Sequence, residues 1–182
     1  MPLREPIPRY RFDDPFPPYA FVGGYFPHPV RNRYGHSYGL KAARPPVPDP
    51  ERWQECAAYL RGIDLFNHGY YWEAHEEWES LWHACGKRGC LATFLEGLIK
   101  LAASGVKVRQ GRLIGIQHHS RRAEAHFREV MEALGPTVAR YMGLPLRELI
   151  DFAREIHDKA EQLKGDPTRP VEIVFPFVLR PE

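Results

Sequence analysis

From residue 49 onward the apolar positions of the chain recur with a helical period. Trp53, Cys56, Ala57, Leu60 and Ile63 follow at three- and four-residue spacing, which puts them on one face of a helix. Asp49-Pro50 supplies its start, a capping carboxylate and then a proline at the first helical position. Asn67-His68-Gly69 ends it, because glycine tolerates the left-handed conformation of a tight reversal. A second helix is predicted over 70–85, with Tyr71, Ala74, Trp78, Leu81, Trp82 and Cys85 as its buried stripe. The two form an antiparallel hairpin. After the turn at 86–89, Leu91, Phe94, Leu95, Leu98, Leu101 and Ala102 make the helix over 91–108 broadly apolar and therefore central. Gly111 breaks it. A fourth helix runs to 134, with Leu113, Ile116, Ala123, Phe127, Val130 and Leu134 inward. A short helix is predicted over 137–142. Pro145 opens a last helix to about 163, and the tail, alternating at Val171, Ile173 and Phe175, reads as extended beside the N-terminal segment.

The first 48 residues follow another pattern. They hold 11 of the 18 prolines, and nine aromatic residues lie between Tyr10 and Tyr38. Proline blocks helix and removes donors, while a disordered tail would be poor in rings. The segment therefore reads as an extended arm wrapped over the helical body with its rings docked. Three regions result: an arm over 1–48, a helical domain over 49–164 and an extended tail over 165–182. The fold class is all-α, a five- or six-helix bundle with irregular ends.

Composition narrows the classes. A chain of 182 residues holds one domain with a real core. A net charge of +2 is too balanced to argue for nucleic acid by itself. No apolar run approaches the roughly 20 residues that span a bilayer, and the N-terminus has no apolar signal region. The three cysteines, Cys56, Cys85 and Cys90, make an odd set without a C-x-x-C pair. Reduced thiols in a cytoplasm fit that best.

Candidate chemistry concentrates in "FNHGYYWEAHEEWESLWHACG", residues 66–86, which packs four glutamates, three histidines and three tryptophans. At helical pitch His75 falls at the edge of the apolar stripe beside Trp82, with Glu79 one turn on and Glu76 on the same flank. Glu73 and Glu77 point to solvent in this reading. His75, Glu76 and Glu79 are the catalytic candidates. "HEEWE" resembles H-E-x-x-H with Glu79 in place of the second histidine, so His75 and Glu79 could hold a divalent metal while the intervening carboxylate activates water. A further ligand would come from His28, His36, His118 or His119. The competing reading is a border histidine that fixes helix packing. Glu96 and Lys100 form an i, i+4 pair, and Lys100 would face the same cleft. Arg112, His119, Arg121, Arg122, His126 and Arg128 make a basic strip on the fourth helix, the route by which nucleic acid could bind, although such strips are commonly solvated faces.

"FNHGYYWEAHEEWESLW" followed by "FLEGLIKLAAS" resembles the signature of the family catalogued as domain of unknown function 309, whose motif positions fall on Phe66, Asn67, Gly69, Glu73, Ala74, His75, Glu76, Glu79, Trp82, Gly97, Leu98 and Ile99. The resemblance spans roughly residues 53–127. It implies a small all-helical domain, brings no reaction with it, and marks this chain, with its arm, as a longer form. The family pattern carries glutamine near Lys100, histidine near Lys107 and Gly-Asn near Gly111-Arg112. The lysines here imply a more cationic site that favours an anion over a metal. A weaker similarity joins Gly69, Tyr70, Ala74 and Trp78 to a tetratricopeptide helix pair, but no second copy follows.

Together these features predict a pocket on the second and third helices built from His75, Glu79, Trp82 and Lys100, closed by His28 and His36, for a small polar or anionic ligand and with no cofactor required. The alternatives are a protein- or RNA-binding module without chemistry and a metal-dependent hydrolase-like site.

Overall fold

The computed structural model of the protein describes residues 6–40 and 44–182; the outermost residues of the arm, 1–5, and residues 41–43 lie outside the described set. The bundle is all-α, with one two-stranded ribbon. A short 3₁₀ helix, Pro50–Glu55, leads into α1 (Ala57–Asn67), α2 (Tyr71–Ala84), α3 (Cys90–Arg109), α4 (Leu113–Leu134), the strands β1 (Arg140–Tyr141) and β2 (Leu144–Pro145), and α5 (Leu146–Asp158). Helix α3 packs between α2 and α4, and α5 covers α4. Among the described residues no helix is long and apolar enough to cross a membrane.

The predicted stripes form the core. Tyr71, Ala74, Trp78 and Leu81 of α2 and Phe94, Leu95, Leu98, Leu101 and Ala102 of α3 are buried, each large apolar side chain contributing about 1.5–3 kcal/mol. Small residues set the helix spacing. A Cβ at Gly97 would lie 2.5 Å from the Phe127 ring, and one at Gly62 would lie 2.3 Å from Trp78 Nε1. Gly69 has φ of +88°, and a Cβ there would also meet the Glu172 carbonyl at 2.5 Å. The reversal between α1 and α2 therefore requires glycine twice over.

Several expectations give way. The first helix is two pieces, because Cys56 is extended (φ −86°, ψ 94°). The break leaves Trp53 against Gly143, whose added Cβ would stand 2.7 Å from the indole, while Tyr59 turns into the core. No helix forms over 137–142. Met142 and Gly143 both take positive φ (51° and 76°), as the central residues of a tight hairpin do. Buried Met142 is held there by Tyr59, whose hydroxyl donates to its carbonyl at 2.7 Å. Helix α5 ends at Asp158 rather than near 163. Leu113, expected inward, is exposed in the first turn of α4.

The arm is attached by its backbone more than by its rings. None of its nine aromatic side chains is fully buried, and Phe12, Tyr25, Tyr34 and Tyr38 are exposed. Asp64 of α1, wholly buried, accepts from the Tyr10 and Arg11 amides at 2.8 and 2.7 Å. Phe16 stacks on Tyr70 with ring centres 5.0 Å apart. The arm also meets the tail, the Ala20 amide donating to the Pro170 carbonyl at 2.7 Å.

Candidate functional site

Helix α2 presents two adjacent polar groups. On one flank are His75, Glu76 and Glu79, the single group of this kind among the described residues, whose ligand atoms all lie within 4.8 Å of one another. Spacing of one and four residues along the helix produces the convergence. His75 Nδ1 is 3.2 Å from Glu76 Oε1, and the two side chains keep 26% and 44% of their surface in solvent. The set is therefore accessible rather than sealed in the core.

On the other flank is Glu73. The sequence placed it toward solvent, but its side chain is only 6% exposed. The helical wheel was right about the angle and silent about the arm that covers it. Glu73 Oε1 accepts from the Phe21 amide at 2.8 Å and lies 3.1 Å from His36 Nε2. The other carboxylate oxygen, Oε2, is buried without a hydrogen-bond partner among the described residues. His36 is itself held at Nδ1, 2.8 Å from the Ser37 hydroxyl.

Between the arm and α2 lies a cavity of about 620 Å³, within the size range of small-molecule sites. Glu73, Glu76, Glu77 and Glu79 line it, with Trp72 and His36. Among the described residues Arg61 is the one arginine or lysine of its wall, and its guanidinium is already engaged, donating to the Asp14 and Pro15 carbonyls at 2.6 Å each. Burial holds the Glu77 carboxyl above the ordinary range, opposed by Arg61. The lining is thus strongly acidic.

The remaining expected site residues are dispersed. His28 packs between Phe21 and Trp72, with ring centres 5.0 and 5.5 Å away. Its Nδ1 accepts from the Val30 and Arg31 amides at 3.4 Å each. Trp82 is half-buried with its Nε1 lacking a partner, and Lys87 lies over its ring at 4.8 Å. Neither His75, Trp82 nor Lys100 lines the cavity. Lys100 instead bears on His119 of α4, whose imidazole is lowered to about 4 by burial first and then by Lys100, His118, Lys107 and His75. A half-buried histidine that stays neutral among cations is a poor anion receptor.

The basic strip of α4 is largely spent within the fold. Arg121 Nη2 lies 3.0 Å from His157 Nε2. Arg122 and His126 face Glu96 at 3.6 and 3.5 Å. Arg128 is bonded to Glu124 at 2.8 Å. Arg112 is exposed at the start of the helix.

The motif residues outside the site hold distant chain. Asn67 binds the tail at Leu179, and Phe66 packs on Tyr71 and Phe175 with ring centres 5.4 and 6.0 Å away. Sequence reasoning missed Asp64 and Arg61, the two α1 side chains that receive the arm. A charged residue inside an apolar helical run was the available signal for Asp64.

No curated protein matches the chain. Residues 59–118, the stretch that carries both quoted motifs, match the family model described as Domain of unknown function (DUF309), the family those motifs resemble.

Proposed function

We propose that the domain binds a small organic cation in the cavity between the arm and α2. Glu73 carries this reading: a carboxylate on the cavity wall, 94% withdrawn from solvent, with one oxygen unpartnered. A buried polar atom without a hydrogen-bond partner costs about 1–3 kcal/mol, and an ammonium or guanidinium donor at Oε2 would offset that cost. Among the described lining residues, four glutamates against one engaged arginine favour the same charge, and the Trp72 ring offers a cation a π face. The acidity of the wall replaces the anionic ligand expected from Lys100 and Lys107. Free Cys56, Cys85 and Cys90 fit a reducing compartment such as cytoplasm.

Calorimetric titration with agmatine, and with glutarate as an anionic control, tests the reading. Agmatine should bind, glutarate should not, and Glu73→Gln should weaken agmatine binding by about tenfold, the loss of one charge-assisted contact. Because glutamine can still accept from the Phe21 amide, the arm should stay docked. Equal affinity for both probes, or an unaffected Glu73→Gln variant, would sink the proposal.

A second reading rests on the convergence of His75, Glu76 and Glu79 within 4.8 Å. An imidazole and two carboxylates suit zinc or manganese, and a metal there could activate water as hydrolases do. Elemental analysis of untagged protein should then find about one equivalent of metal per chain, lost on His75→Ala. Metal far below that in every preparation removes this reading.

A further inference from the structure

The stretch from residue 15 to residue 48 contains no aspartate or glutamate, while it carries Arg31, Arg33, Lys41, Arg44 and seven aromatic residues. That composition is unlike the rest of the chain, whose 23 acidic residues all fall elsewhere. Within it the structure builds a tightly turned loop over 28–40. The Asn32 amide donates to the His28 carbonyl at 3.1 Å, Gly35 to Asn32 at 2.8 Å, Ser37 to Pro29 at 3.1 Å and Tyr38 to Gly35 at 3.1 Å. The chain passes so closely at Gly35 that an added Cβ would stand 2.2 Å from the Pro29 carbonyl oxygen. The loop is anchored from below by His36 on Glu73.

A loop this closely bonded could turn its rings inward, yet it holds them out. Tyr34 is 68% exposed and Tyr38 54%. The Arg33 guanidinium lies over the Tyr34 ring at 4.5 Å, and Arg31 and Arg33 are themselves exposed. Neither tyrosine lines the cavity, whereas His36 and Ser37 of the same loop do. The loop therefore has an inner side given to the cavity and an outer side of exposed rings and guanidinium groups, where Arg33 covers one face of Tyr34 and donates to its hydroxyl.

We infer that this outer side binds single-stranded RNA. Exposed rings held on a fixed backbone are stacking platforms for unpaired bases, and arginines among them meet the phosphates. An amphipathic protein partner would also cover rings, but Arg31 and Arg33, on a segment without acidic residues, favour a polyanion on this outer side, the glutamates of α2 lying on the cavity side of the loop. The Asn32 side-chain nitrogen, Nδ2, takes no part in the hydrogen bonds among the described residues, while its Oδ1 accepts from the Tyr34 amide at 3.0 Å. With the Tyr38 phenol it can engage a ribose 2′-hydroxyl, which favours RNA over DNA. The basic strip of α4, tied to Glu96, Glu124 and His157, is not the binding surface.

Fluorescence anisotropy on the full chain with a fluorescein-labelled oligouridylate of about 12 nucleotides tests this, a length that covers a typical single-strand site. Affinity should fall steeply between about 50 and 200 mM salt. Tyr34→Ala with Tyr38→Ala should weaken binding by about tenfold or more with little change in salt slope. Arg31→Glu with Arg33→Glu should reduce the slope itself. Arg121→Glu with Arg122→Glu should leave binding unchanged. The inference is overturned by no binding at low salt, by tyrosine variants that bind like the parent, by equal affinity for oligothymidylate, or by equal affinity for a poly-glutamate peptide, which would make the surface a generic polyanion or protein contact.

Discussion

Asn67 and Leu179, 112 residues apart, exchange two hydrogen bonds: the side-chain amide donates to the Leu179 carbonyl at 2.9 Å, and the Leu179 amide donates back to the side-chain oxygen at 2.8 Å. Both residues are buried. Removing the amide strands two buried backbone groups at roughly 1–3 kcal/mol each. Asn67→Ala should therefore lower unfolding stability by about 2–4 kcal/mol in urea titration. A change within about 0.5 kcal/mol, the ordinary range for a surface substitution, would show that water replaces the lost bonds.

Asp64 does for the arm what Asn67 does for the tail. Its carboxylate receives the Tyr10 and Arg11 amides. Asp64→Ala should release the start of the arm and speed tryptic cleavage at Arg9 and Arg11, with the helical circular dichroism of the body retained at ambient temperature. Unchanged cleavage kinetics would mean that Phe16, stacked on Tyr70, suffices to hold the arm.

Gly97 separates α3 from α4. A methyl group there would enter the Phe127 ring, 2.5 Å away, in a site where Phe127 is wholly buried. Gly97→Ala should cost about 1–3 kcal/mol by overpacking, outweighing the gain of nearly 1 kcal/mol in helix propensity. Thermal melting decides the sign, and a higher Tm would show that the helices part easily.

His119 predicts the acid limb of stability. Its folded value is about 4, against about 6.5 for an unfolded histidine. Between these values the unfolded chain takes a proton that the folded chain refuses, so the contribution of His119 to stability is constant above about pH 6.5, falls between 6.5 and 4, and levels off below. His126, lowered by burial as well, adds to the fall. Because His119 is half-exposed, the slope should stay well under the single-proton limit of ~1.4 kcal/mol per pH unit. His119→Gln should flatten this limb in denaturation series at fixed pH, and an unaltered slope would assign it to other groups.

The helices could be read from the chain because Ala74, Trp78 and Leu81, or Leu95, Leu98 and Ala102, repeat a local period that burial then rewards. His75, Glu76 and Glu79 were legible for the same reason, since their convergence needs only one helix. Glu73 was not. Its environment is made by Phe21 and His36, 52 and 37 residues upstream, and no periodicity in α2 encodes that. The same holds for Met142-Gly143, where a hydrogen bond from Tyr59, 83 residues away, holds Met142 in a conformation its own sequence disfavours. Lys100 failed as a wall of the site because α4 brings His119 into its neighbourhood. Long-range partners, rather than local preference, decided each case.

Glu73 belongs to the Glu-Ala-His-Glu motif inside the matched stretch, while both of its partners, Phe21 and His36, belong to the arm outside it. The motif thus receives peptide from elsewhere in the chain, and one oxygen of its carboxylate has no hydrogen-bond partner among the described residues when the arm is seated. A protein that keeps this glutamate but replaces the arm leaves its carboxylate without the Phe21 amide and the His36 imidazole. That carboxylate then faces water, a ligand or another polypeptide, so the identity of whatever sits on α2, more than the helices themselves, is the variable by which one scaffold could serve different ends.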